Sequence, residues 1–251
     1  MGAGPSDPAL VPVIRSWAGC HSTGEDQQTV ENHTIAVVGG TGPQGKGLAL
    51  RFARAGHRVV VGSRSAGRAE DAAALIRARA GTTVDVRGLD NRTAVAAADI
   101  VLLAVPWDGH GELVTDLAPD LDGKLVISCV NPLGFDRRGP YGLAVEEGSA
   151  AEQAQRLVPD AVVVGAFHHL SAVALWEEDG LLDHEDVLVC GDERAAKDRV
   201  ADLAATVTGR PGIDAGALRN ARQLEPLTAV LIGINRHYKT RSGVAISGIP
   251  A

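Results

Sequence analysis

Cysteine is nearly absent from this sequence, and the three present, Cys20, Cys129 and Cys190, lie far apart with no CxxC spacing. That pattern supports neither a disulfide framework nor a zinc site, and it fits a reducing compartment. Aromatic residues make up only 3% of the chain and a single Met occurs, so a core must be built from Val, Leu, Ile and Ala. Such a composition suits buried parallel strands packed on Ala-rich helices. Positive charge is also short: 24 Lys and Arg against 31 Asp and Glu give a formal net charge of -7. Nucleic-acid binding draws on clustered cations, so no nucleic-acid partner is expected. Long apolar runs are missing too. The longest, residues 100–107, falls far short of the ~20 residues a membrane-spanning helix needs, and no membrane association is expected. Residues 1–33 have neither the basic start nor the apolar stretch of a signal peptide, which leaves a cytoplasmic protein as the expectation.

What is present is a 251-residue chain with 45% hydrophobic residues, enough to bury a substantial core. Residues 1–33 read as a loosely ordered extension, with docking of Trp17 and its neighbours on the domain or on a second subunit as the alternative. From residue 34 a rhythm sets in. A strand over 34–38, a helix over 47–55 and a strand over 57–62 form a βαβ unit. Helices over 68–80, 93–98, 112–117 and 149–158 then alternate with strands over 83–86, 99–105, 124–128 and 161–165. The fold class is therefore α/β, a doubly wound parallel sheet of Rossmann type over 34–165, followed by a small C-terminal α/β or helical domain over 166–251. In that second part a strand over 187–190, a helix over 193–208 and a last long helix are expected. The last helix carries Leu224, Leu227, Leu231, Ile234 and Tyr238 as a narrow apolar stripe, which packs within its own subunit or against a second copy.

Gly40-Thr41-Gly42-Pro43-Gln44-Gly45 is a G-x-G-x-x-G element directly after a strand and before a helix. Glycines let the main chain approach a pyrophosphate, and the helix N-terminus attracts its charge. At the end of the second strand an NAD site usually presents a carboxylate to the ribose hydroxyl. Here the stretch offers Ser63, Arg64 and Arg68 instead, and a guanidinium fork suits a 2′-phosphate, so NADP(H) is the expected cofactor. Arg68 has a second reading as an exposed helix charge.

Ligands in such sheets lie at the carboxyl ends of the strands. Val105-Pro106-Trp107 ends the fourth strand, where Trp107 either walls a pocket or covers the domain edge. Asn131-Pro132 ends the fifth in a comparable position. His168 and His169 follow the sixth, where one imidazole either positions substrate and handles a proton or is a hydrogen-bonded structural group. Adjacent histidines point apart and no ligand set of suitable spacing completes them, so no metal is expected. The absence of a Tyr-x-x-x-Lys pair after the fourth strand argues against short-chain dehydrogenase chemistry.

The segments 35–51 and 57–64, together with Ala104-Val-Pro-Trp107, Gly165-Ala-Phe-His168, Val189-Cys-Gly-Asp192, Asp214-Ala-Gly216 and Asn220-Ala-Arg-Gln-Leu-Glu225, resemble in the same order the NADPH-dependent coenzyme F420 reductases. The resemblance spans residues 34 to about 235. It implies hydride transfer between NADP(H) and the deazaflavin coenzyme F420, in a homodimer whose C-terminal domain shapes the deazaflavin pocket and dimer contacts. It places Thr41, Ser63, Arg64 and Arg68 at the adenosine and phosphate positions, and Pro106, Trp107, His168 and Leu170 around the two rings. The N-terminal extension, Pro226 at the start of the last helix, His169 and the tail after Arg236 depart from the family pattern. Two other readings remain open on the residues alone: an NADPH-dependent reductase of a flavin, imine or ketone, and a non-catalytic NADP redox sensor.

Overall fold

The structure is a computed structural model that describes Met1, residues 32–81 and residues 83–249. All but Met1, Asn32 and His33 of the expected extension over 1–33, including Trp17, lies outside the described residues. His33 already belongs to the folded unit, since its carbonyl accepts a hydrogen bond from Arg58 N at 3.1 Å.

Eight strands form the main sheet among the described residues: β1 (Thr34–Val38), β2 (Arg58–Ser63), β3 (Val86–Asp90), β4 (Ile100–Leu103), β5 (Leu125–Ser128), β8 (Val162–Gly165), β9 (Leu188–Gly191) and β10 (Ile213–Asp214). Their order is β10-β9-β8-β5-β4-β1-β2-β3. Every neighbouring pair is parallel except β8 and β9, which run antiparallel with Gly165 opposite Cys190. The sheet thus crosses the boundary expected at residue 165. β6 (Leu133–Asp136) and β7 (Gly139–Gly142) form a separate antiparallel hairpin.

Strand β1 shows why both faces are covered. Ile35 and Val37 point into one apolar layer with Leu48, Ile76, Leu175 and Val200, while Ala36 and Val38 point into the other with Val95, Val114, Ala154 and Leu224. The first layer is closed by α1 (Pro43–Arg54), α2 (Ala66–Ala80), α6 (Ala172–Glu177) and α7 (Arg194–Thr208). The second is closed by α3 (Asn91–Ala96), α4 (His110–Leu121), α5 (Ala150–Leu157) and the start of α8 (Ala221–Tyr238). A continuous apolar strand buried on both sides is what a parallel sheet requires.

The third strand is shifted from the expected 83–86 to Val86–Asp90. Gly88 decides this: a Cβ there would lie 2.1 Å from Glu70 N, so the strand slides until its glycine meets α2. Pro226 does not interrupt α8, which begins at Ala221 and runs through it. As the sixth residue of α8, Pro226 forgoes the intrahelical bond to Arg222 O, and Gly142 of the hairpin makes room for it, since a Cβ there would lie 2.7 Å from Pro226 Cβ.

One buried charged group ties the helices together within each layer. Arg51 of α1 donates from Nε to Leu175 O at 2.8 Å and from Nη2 to Ala174 O at 2.9 Å and Glu178 O at 2.7 Å, and its Nη1 reaches Gly180 O. It thereby gathers the carbonyls at and just beyond the end of α6, of which Ala174 O also accepts from Glu178 N at 3.1 Å. Glu225 of α8 accepts from Ala150 N at 2.8 Å and Ala151 N at 3.0 Å, capping α5. Burial pushes the Glu225 carboxyl up to about 7 against the opposing pull of those two amides.

Candidate functional site

The loop after β1 turns at Gly39, whose φ is +82°. A Cβ there would lie 2.4 Å from Ala104 O, the first residue beyond β4, so only glycine lets the loop close on the neighbouring strand end. At Gly45 a Cβ would lie 2.8 Å from Gly39 O. Gly42 then caps α1 without a side-chain hydrogen bond, Pro43 opens the helix, and no acidic residue occupies the first turn. The amides of Gln44 and Gly45 have no acceptor among the described residues. Free N–H groups, the positive helix end and a backbone stripped of Cβ atoms fit a pyrophosphate. Gly39 lies outside the six-residue motif read from the sequence, although it immediately precedes it.

Ser63 ends β2 as a buried residue, and Ser65 caps α2 by accepting from Arg68 N at 3.5 Å. Arg64 and Arg68 are exposed and make no ion pair among the described residues. Two unpaired guanidinium groups at a helix N-terminus oppose the helix dipole, an arrangement that an arriving phosphate would relieve. Asp90, the cross-strand partner of Ser63, is occupied as the cap of α3, accepting from Thr93 N at 3.0 Å and Thr93 Oγ1 at 2.7 Å.

A cavity of about 390 Å³ opens at the carboxyl ends of β4, β5 and β8. Gln44, Val105, His168 and Leu170, all expected at the site, line it together with Cys129 and Asn131. Pro106 and Trp107 do not line it. Trp107 stacks on His110 instead, with ring centroids 5.5 Å apart, and packs against the layer that holds α4. The outer wall comes from α8 and the tail: Thr228, Leu231, Ile232, Asn235 and Ser242. Asn235 Oδ1 holds the tail by accepting from Ser242 N at 2.6 Å and Ser242 Oγ at 2.8 Å. Sequence reading missed these residues because the polar positions of a long helix look like any solvated face.

The inner wall is a turn under constraint. Phe167 is fully buried with a φ of 63°, a rare conformation for a bulky residue. Gln44 Nε2 donates to Phe167 O at 3.1 Å, while Asn131 Nδ2 and Thr228 Oγ1 donate to His168 O at 3.1 and 3.0 Å. His168 itself is buried with no partner for Nδ1 or Nε2, and burial with neighbouring His169 lowers its pKa to about 3. It is a neutral imidazole, offering one donor and one acceptor. His169 instead donates to Leu224 O at 2.6 Å, fixing the turn to α8. Burial pushes the Cys129 thiol up to about 12, so it serves as an apolar wall and no thiolate nucleophile forms.

Residues 34–132 match a family described as NADP oxidoreductase coenzyme F420-dependent. The F420-dependent NADP reductase of Methanocaldococcus jannaschii is 36% identical over 86% of this chain and 98% of its own length. That of Methanothermobacter thermautotrophicus is 38% identical over 86% of this chain and 95% of its own. A solved structure attributed to an F420-dependent NADP reductase of Arthrobacter superposes with a TM-score of 0.70 at 28% identity, covering 86% of this chain and 100% of that one. With relatives at 36% and 38% identity over 86% of its length, the chain belongs to the family of F420-dependent NADP reductases.

Proposed function

We propose that this protein transfers a hydride reversibly between NADP(H) and coenzyme F420, with Gly39 to Gly45 holding the pyrophosphate and Ser63, Arg64 and Arg68 the 2′-phosphate. One observation carries this reading: the cavity at the strand ends shares Gln44 with the glycine loop, so dinucleotide and acceptor meet at one wall. When bound, the nicotinamide and deazaflavin rings supply the hydride chemistry themselves. The chain supplies alignment and dryness. Val105, Cys129, Leu170, Leu231 and Ile232 give apolar walls that exclude water, and hydride transfer needs ring carbons held about 3 to 3.5 Å apart. The neutral imidazole of His168 can hold a hydrogen bond at either ring nitrogen without adding a buried charge.

The protein is proposed to work as a homodimer. Val230, Ile234 and Tyr238 leave one face of α8 exposed, at 55%, 36% and 70%, and the adjoining hairpin exposes Phe135 and Tyr141. Apolar side chains exposed along one face of a helix suit an isologous interface. Sedimentation at micromolar concentration distinguishes dimer from monomer. No helix among the described residues is long and apolar enough to cross a membrane.

The reaction is tested by mixing the full chain with NADPH and oxidised coenzyme F420 and following the deazaflavin absorbance against a no-enzyme control. Prompt bleaching is expected. NADPH binding without bleaching would move the activity to another acceptor.

A further inference from the structure

We infer that Asn131 is a specificity-determining residue whose Oδ1 accepts a hydrogen bond from the carboxamide N–H of the nicotinamide. The inference rests on the NADP reading of the site. Asn131 lies just beyond β5, the strand next to β4, and a dinucleotide laid on the loop after β1 runs its nicotinamide end past these two strand ends.

The orientation of the amide is fixed by its neighbour. Nδ2 donates to His168 O at 3.1 Å, and the reverse orientation would set two oxygens against each other. Oδ1 is therefore turned away from that carbonyl. It is buried, has no partner in the protein, and belongs to a side chain that lines the cavity. A buried carbonyl without a donor is unfavourable, so a ligand seated there must bring an N–H.

The rest of the cavity floor sharpens the choice. Cys129 Sγ–H is already committed to Leu103 O at 3.2 Å, and Thr228 Oγ1 to His168 O at 3.0 Å. Only Asn131 Oδ1 and the two nitrogens of His168 remain unpartnered among the buried side-chain atoms of the residues that line this cavity, within the described residues, and the His168 ring packs on Gly165, where an added Cβ would lie 3.3 Å from its Cε1. Asn131 Oδ1 is thus the acceptor on offer, and it complements the N–H of a primary carboxamide. A site built to bind an N–H rejects an analogue that lacks it, because the protein acceptor is then left unpaired.

The test uses oxidised NADP and its 3-acetylpyridine analogue, in which a methyl replaces the carboxamide NH2, titrated against the full chain by calorimetry. Wild type is expected to bind NADP about tenfold more tightly than the analogue. Asn131→Leu, or Asn131→Ala if the leucine variant does not fold, should bind both with similar affinity by losing its preference for NADP. Thr228→Val removes the other donor to His168 O and leaves Oδ1 in place, so it should keep the preference. A wild-type ratio near one, or a preference that persists in a folded Asn131 variant, overturns the role. Neither titration needs a deazaflavin, so failure to reduce coenzyme F420 leaves the result standing. Failure to bind either dinucleotide removes the cofactor assignment and this role together.

Discussion

The Gln44 side chain at the first turn of α1 donates Nε2–H to Phe167 O at 3.1 Å, joining segments 123 residues apart. One end of this bond belongs to the glycine loop and the other to the turn that walls the cavity. Because Phe167 is held at a φ of 63°, the turn depends on donors from outside it.

Gln44→Leu should therefore act on alignment more than on cofactor affinity. The expected outcome is a fall in kcat of about tenfold, the scale of one lost buried hydrogen bond, with the NADP Kd changed by no more than about threefold. A larger primary isotope effect with 4-deuterated NADPH should accompany it. An affinity loss as large as the rate loss would show that Gln44 serves the dinucleotide alone.

Arg64 and Arg68 are exposed and unpaired, so replacing them removes no internal contact. The double variant Arg64→Gln/Arg68→Gln should keep its thermal midpoint and raise the KM for NADPH by about a hundredfold, since each charge-assisted contact to a phosphate is worth roughly 1.5–3 kcal/mol. The KM for NADH should stay within about twofold. A parallel rise for both cofactors would place the arginines away from the 2′-phosphate.

Gly39 combines a φ of +82° with a Cβ position 2.4 Å from Ala104 O. Gly39→Ala must displace the end of β4 or the loop itself, at a cost on the order of 2–3 kcal/mol. Dinucleotide binding should drop by at least about tenfold, measured by calorimetry on folded protein. Gly109, with a φ of +78° but open space around its Cβ position, is the control for strain without steric overlap, and Gly109→Ala should leave dinucleotide binding intact.

The alternation of apolar strands and Gly-bounded helices made β1, β2, β4 and β5 legible because both faces of those strands are buried, leaving runs such as Ile35 to Val38 with no polar interruption, whereas the partly exposed β3, with its Arg87 and Gly88, lies later than the pattern predicts. Legibility ended where tertiary contacts replaced local pattern. The hairpin strand Gly139–Gly142 contains two glycines and a proline, and its conformation comes from pairing with Leu133–Asp136 and packing on Pro226. Helix α6 is only six residues long, too short for a periodicity, and is held by the Ser171 cap and Arg51. The glycine loop and His168 could be read from residue type, whereas Thr228 and Asn235 acquire a role only when α8 folds over the strand ends.

Arg51 stands at 3% exposure with donors on four carbonyls at the end of α6. Burial lowers its pKa without making neutralisation a practical escape. Arg51→Met keeps the apolar stem and removes the donor to Leu175, Glu178 and Gly180 O, while Ala174 O keeps its bond from Glu178 N, so urea denaturation should show a loss on the order of 3 kcal/mol. Arg51→Lys should recover little of it, because one ammonium cannot span the same fork. A loss below about 1 kcal/mol would mean that water takes over the carbonyls.

His168 gives the sign of the acid response. Its pKa is about 3 in the folded protein, against 6.5 for an ordinary imidazole, because the buried ring resists charge. Above pH 6.5 both folded and unfolded forms are neutral at this residue, and its contribution to stability is fully present. As pH falls from 6.5 towards 3 the unfolded chain takes up a proton that the folded one refuses, so stability declines by up to ~1.4 kcal/mol per pH unit. His57, lowered to about 4 by burial, adds to the same slope. The direct measurement is the His168 ring proton resonance, identified by its loss in His168→Asn. It should not move between pH 8 and pH 5. A midpoint near 6.5 would mean that the imidazole is open to water, and would restore His168 as a group able to donate a proton as the cation.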